Sequence, residues 1–143
     1  MYQAYKAYKK FLILAIITFL FISLGNINMT IGNTLNKYLW EKRIVLIFSK
    51  DKDISLYKEQ KNQFSNLQDE TNERDLVFIE IFKDKNTKHE SLQDKFNPNS
   101  SNFKIILIGK DGGIKLNSST VVTHEKIFSL IDSMPMRQME MLQ

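Results

Sequence analysis

After residue 40 the chain alternates short apolar runs with polar stretches, and that alternation sets out its elements. Residues 43–48 read RIVLIF, residues 76–82 LVFIEIF, residues 103–108 FKIILI and residues 114–116 IKL. Short runs rich in β-branched and aromatic residues, bounded by polar clusters, read as strands. Between the first two, Ser49-Lys50-Asp51-Lys52-Asp53 breaks the pattern. Asp53 suits an N-cap, and Leu56, Gln60, Phe64, Leu67 and Thr71 then recur at helical spacing, so one helix is expected to about residue 71. A polar connection at 83–88 leads to a short helix or turn at 91–96, and residues 97–102, NPNSSN, have the composition of a loop. Lys110-Asp111-Gly112-Gly113 joins the third and fourth strands. Asp-Gly between apolar runs is a hairpin signal, because a tight turn needs positive φ. Thr123 is placed to cap a last helix holding Ile127, Phe128, Leu130 and Ile131, which Pro135 ends.

The order is therefore βα, βα, a ββ hairpin, then α. Two strands joined by a helical crossover pair in parallel with a right-handed connection. The hairpin adds two antiparallel strands, and the closing helix packs on one face. This is an α/β, thioredoxin-like βαβαββα layout: a four-stranded mixed sheet with helices on both faces, preceded by an N-terminal apolar helix.

The segment ahead of this body carries an address. Lys6, Lys9 and Lys10 precede residues 11–24, FLILAIITFLFISL, in which only Thr18 and Ser23 are polar. A basic region followed by a short apolar core is the pattern of a secretory signal. As a helix the run is about 21 Å long at ~1.5 Å per residue, short of a ~30 Å hydrocarbon core. Extending it to Ile31 reaches that thickness but places Gly25, Asn26 and Asn28 in lipid. Ser23 and Gly25 are small enough to flank a cleavage after Gly25. A cleaved signal and a retained anchor both remain open, and both deliver the body across the membrane with the lysines left in the cytoplasm. The expected organisation is a signal peptide or anchor at 1–25, a linker at 26–39 and a domain at 40–143. The expected location is the periplasm or the extracytoplasmic face of the membrane.

Composition narrows the function classes. At 143 residues the chain is one domain's worth, and 43% hydrophobic with 25% charged residues is a globular balance. It has no cysteine, which excludes disulfides, thiol redox chemistry, cysteine nucleophiles, Fe–S clusters and thiolate-bound zinc. The net charge of +4 owes much to the leader: without its three lysines, 17 bases face 16 acids. A near-neutral body argues against a nucleic-acid surface.

Some of these residues carry a family resemblance. Residues 108–116, IGKDGGIKL, with residues 131–137, IDSMPMR, resemble the signature of a domain family of unknown function. That domain occurs alone in secreted bacterial proteins and within animal extracellular-matrix proteins, including ones with sushi repeats. Trp40-Glu41-Lys42-Arg43 before the first strand and Glu73-Arg74-Asp75 before the second resemble the same family, over about residues 39–141. The resemblance implies a secreted module similar in fold to thioredoxins and peroxiredoxins, with no assigned catalytic residues, so none is carried over.

The residues themselves offer several candidate sites. In such a fold the working loop follows the first strand, here Ser49, Asp51 and Asp53, and no thiol is present there. Asp51-x-Asp53 also matches the nucleophile and acid of Mg²⁺-dependent phosphatases, although Ser49 and Lys50 intervene after the strand. The plain alternative is a solvated loop whose Asp53 caps a helix. Gly109-Lys110-Asp111-Gly112-Gly113 precedes a strand, not the helix a phosphate loop requires, so Asp111, Gly112 and Gly113 are read as a structural turn. Glu80, inside an apolar strand, is either a buried base with raised pKa or an edge-strand residue facing water. His89 and His124 are isolated in sequence, with Glu125 adjacent to His124 rather than on its helical face. Met134, Met136, Met139 and Met141 could bind Cu(I) through soft thioethers or simply fill gaps in packing. The reading that combines these is an exported, non-catalytic binding module without cofactor, whose partner is an envelope or extracellular protein and which touches membrane only through its N-terminal segment. The alternative is a small Cu(I)-binding protein or a small hydrolase using Asp51 and Asp53.

Overall fold

A computed structural model describes residues 33–83, 89–97 and 101–142. The basic apolar segment at 1–25, most of the polar connection at 83–88 and part of the loop at 97–102 lie outside the described residues. The elements run α1 (Asn33–Asn36), β1 (Arg43–Ser49), α2 (Ser55–Asn62), α3 (Gln68–Glu73), β2 (Leu76–Phe82), α4 (Glu90–Phe96), β3 (Phe103–Ile108), β4 (Ile114–Ser118), α5 (His124–Asp132) and α6 (Pro135–Glu140). Among the described residues no helix is long and apolar enough to cross a membrane.

The strands form one sheet in the order β2-β1-β3-β4. β1 pairs in parallel with β2 and antiparallel with β3, and β3 pairs antiparallel with β4. A strand with neighbours on both sides and helices on both faces has no wet side, and all seven residues of β1 are buried. Its side chains divide by the two-residue period of a strand. Val45 and Ile47 join Tyr57 of α2 and Ile127, Phe128 and Ile131 of α5 in one core. Ile44, Leu46 and Phe48 join Leu35 of α1 and Leu92 and Phe96 of α4 in the other. Each fully buried apolar side chain contributes roughly 1.5–3 kcal/mol.

Several local expectations are corrected. The helix expected from Asp53 to about residue 71 is two helices. Asn66 lies between them at φ 64, a left-handed conformation that asparagine tolerates better than most residues. Asp53 does not cap α2: Ile54 holds the N-cap position with no side-chain cap. Gln60, counted with the apolar stripe, is buried because its amide exchanges two 2.8 Å hydrogen bonds with the main chain of Val122. Thr123 does cap α5, accepting from the Lys126 N–H at 3.4 Å. Pro135 follows the end of α5 but also opens α6, where a missing N–H costs nothing. The packed body begins before Trp40, since Leu35 is already in the core.

Candidate functional site

The loop after β1 is held by local bonds. Buried Ser49 donates its hydroxyl to the Asp51 carbonyl at 2.7 Å. The Asp51 carboxylate accepts the Asp53 N–H at 2.8 Å, and Asp53 pairs with Lys58 at 3.1 Å. Both carboxylates are exposed. The two acids that would have to share a cation are thus occupied separately, one by main chain and one by a lysine. Among the described residues no group of three His, Asp or Glu side chains is arranged to hold a metal.

Glu80 lies on β2, at an edge of the sheet, opposite Ile47 in register. It accepts the Tyr57 hydroxyl at 2.7 Å and pairs with Lys61 at 2.8 Å. Burial alone would raise its pKa, but the hydrogen bonds and charge of Lys61 and Tyr57 outweigh burial and hold the carboxyl below its ordinary value. The buried-base reading is corrected: Glu80 is a stabilised carboxylate. Tyr57 and Lys61 were missed by sequence reasoning, although their i, i+4 spacing on α2 was the available signal.

Two clefts flank the outer side of β2. One, about 760 Å³, lies beside Lys61, Phe64, Gln68, Asn72, Phe78 and Glu80. The other, about 300 Å³, lies beside Thr34, Lys37, Tyr38, Ile79 and His89. Tyr38, Phe78 and Glu80 border both.

The methionines have different surroundings. Met134 packs against the core that contains α5 and, together with Met136, lines a cleft of about 270 Å³ beside Arg43 and Lys110, whereas Met139 and Met141 are exposed. At the hairpin, Gly112 has φ 77 and donates its N–H to the Gly109 carbonyl at 2.9 Å, while the Asp111 carboxylate accepts the Gly113 N–H at 3.0 Å. The need for positive φ falls on Gly112; Gly113 does not share it. A Cβ on Gly109 would meet the ends of the Lys115 and Asp111 side chains, at 2.5 and 2.7 Å, and no main chain. His124 and Glu125 do meet, at 3.2 Å, despite being adjacent in sequence.

The opposite end of the sheet holds what the sequence did not suggest. Arg43, the first residue of β1, is 1% exposed, and its guanidinium donates to Glu140 at 3.1 and 3.2 Å and to the Arg74 carbonyl at 2.9 Å. Lys110, 9% exposed, pairs with Glu140 at 2.7 Å and Asp75 at 2.9 Å, and Asp75 also takes Lys42 at 2.7 Å. Arg74 pairs with Asp132 at 2.7 Å. Buried Arg137 pairs with both Asp132 and Glu73 and donates to the Glu73 carbonyl. Burial pushes the carboxyls of Asp75, Asp132 and Glu140 up, but the surrounding lysines and arginines outweigh it and hold all three below the usual carboxylate range. The main chain ties the same pieces: Trp40 N–H donates to the Lys110 carbonyl at 2.7 Å and Arg43 N–H to the Asp75 carbonyl at 2.9 Å. Trp40 and Asp75 hold φ of 67 and 49, and Trp40 is 62% exposed.

The four sequence blocks at 40–43, 73–75, 108–116 and 131–137 therefore converge on one charged cluster. The molecule is an α/β domain with a four-stranded mixed sheet, clamped at one end by ion pairs and bordered by clefts along one edge. The chain belongs to the family described as domain of unknown function DUF4174, whose model matches residues 34–140. A solved structure described as "Structure of a malarial protein" is 25% identical over 64% of this chain and 94% of that one, with a TM-score of 0.50. No curated protein matches the chain.

Proposed function

We propose that this is an exported, non-catalytic binding module of thioredoxin-like fold, and that it engages another polypeptide along the outer side of β2. The observation that carries the reading is the pair of clefts flanking that edge. Grooves beside an unpaired strand suit an added strand, which gains main-chain hydrogen bonds and seats alternate side chains on the two faces. The strand order, with β3 alone antiparallel to the other three, supports the thioredoxin-like fold. The absence of cysteine, together with a loop after β1 whose acids are engaged separately, supports a binding role over a catalytic one. Export rests on the basic apolar leader.

The test is a photo-crosslinking residue placed at Phe78 in the full chain expressed in cells, with Lys115 on β4 as the control position. The expected result is a polypeptide adduct at Phe78 and none at Lys115, in the envelope fraction. Equal labelling at both positions, or none at Phe78, overturns the reading. A reporter fused after Gln143 checks export separately: activity outside the cytoplasm is expected, and cytoplasmic activity refutes it.

A further inference from the structure

The arginines of the charged cluster are not equally satisfied. The chain has three, Arg43, Arg74 and Arg137. Arg74 and Arg137 both donate Nε–H to Asp132, at 3.3 and 3.2 Å. Arg43 is 1% exposed, and its Nε is buried with no partner among the described residues. Its Nη1 donates to Glu140 and to the Arg74 carbonyl, and its Nη2 donates once, to Glu140. A guanidinium carries five N–H groups in a rigid planar fork. Three are engaged here. The two left over, the Nε–H and the outer Nη2–H, lie side by side on one edge of the plane. Two parallel donors on one edge are the arrangement that receives both oxygens of a carboxylate or two of a phosphate. A buried charged donor without a partner is costly, and so points to something that meets it.

Arg43 also lines the cleft of about 270 Å³ at this end of the sheet. None of the residues around that cleft borders the two clefts beside β2. Lys110 and Lys115 line it as well. Among the described residues Asp111, paired with Lys115 at 2.7 Å, is the one acid that lines it. Glu140 and Asp75, which balance Arg43 and Lys110, do not. The cleft therefore presents an excess of positive charge. Met134, Pro135 and Met136 give it an apolar wall.

We infer that this cleft binds a small organic carboxylate, whose two oxygens take the free edge of Arg43 and whose apolar body lies against Met134, Pro135 and Met136. Unbranched methionine side chains yield readily, so Met134 and Met136 open the way to the buried fork. An inorganic oxyanion gains nothing from the apolar wall, and a second negative charge on it is repelled by Asp111. Sites for drug-sized ligands span roughly 300–1,000 Å³, so the ligand here is small.

Heteronuclear NMR of the full chain tests this directly, because each arginine gives one Nε–H signal and Arg43's is assigned through its own side-chain bonds. Butyrate added at constant ionic strength is expected to move the Arg43 signal saturably and to leave those of Arg74 and Arg137 in place. Butyrate should bind about tenfold more tightly than acetate, since each further buried methylene is worth roughly fourfold. Lys115→Glu, which reverses a charge lining the cleft, should weaken butyrate about tenfold. An Arg43 signal that butyrate does not move, or that chloride moves equally, overturns the inference. Equal binding of acetate and butyrate, or tighter binding of inorganic phosphate, overturns the organic carboxylate. Unchanged affinity in a folded Lys115→Glu chain overturns the cleft as its place.

Discussion

The two ends of the sheet use charge in opposite ways. After β1, Asp53 and Lys58 are mostly in water, where an ion pair contributes about 0–1 kcal/mol. At the other end, Arg43, Lys110 and Arg137 are buried, and each finds carboxylates arriving from other elements. Taking such cations out of water costs several kcal/mol each, so they persist only where the geometry supplies matched acids. The sequence offered its candidate acids, Asp51 and Asp53, in the loop after β1. Here the acids after β1 are exposed, and the buried ion pairs lie at the other end. The charges there form a clamp, in which Glu140 at the end of α6 ties Arg43 of β1 to Lys110 beside the hairpin.

The strongest way to break this contrast is Glu140→Ala. It leaves Arg43 without its carboxylate and Lys110 with Asp75 alone, and should cost about 3–5 kcal/mol in urea unfolding. A cost near that of a surface residue would show that the clamp is not one. Gly112→Val comes next, at about 1–3 kcal/mol, because valine at φ 77 is strained. Gly113→Ala should cost less than Gly112→Val by the same measurement, and equal costs would place the turn strain elsewhere.

Acid titration sharpens the contrast further. Asp75, Asp132 and Glu140 have folded pKa values below their ordinary ones, so their stabilisation is complete above the unfolded carboxylate range and is lost as pH falls through the folded values. Thermal unfolding should therefore show a falling midpoint below about pH 4, and Asp132→Asn should lessen that slope. An unchanged slope would assign acid sensitivity to other carboxylates. The smallest effect is expected at the other end: Asp53→Ala should change stability by less than about 0.5 kcal/mol. A larger loss would mean that the loop after β1 is held more tightly than its exposed pair implies.

Much of the fold was legible because it rests on local physics. The second and third strands have the bounds of their apolar runs, and β1 extends its run only by Ser49. Thr123 was readable as a cap, and Gly112 as part of a turn, because caps and positive φ are settled within a few residues. The break at Asn66 was not legible, since the apolar spacing continues across it and only the left-handed backbone there reveals it. Pro135 read as a stop because proline cannot continue a helix, while its fitness to begin one depends on what precedes it in space.

The sequence by itself determined the alternation of strands and helices, the missing thiol and the basic, apolar character of the N-terminal segment, because periodicity, composition and residue identity need no partner. Tertiary structure alone decided that Arg43, the first residue of an apolar strand, would be buried, for its acid lies 97 residues away in Glu140. It also decided that Glu80 would be a stabilised carboxylate on an edge strand, because Tyr57 and Lys61 reach it from α2. Ion pairing depends on distances that chain spacing does not encode, and which edge of a sheet stays open depends on the order in which strands pair. Both are properties of the assembled fold.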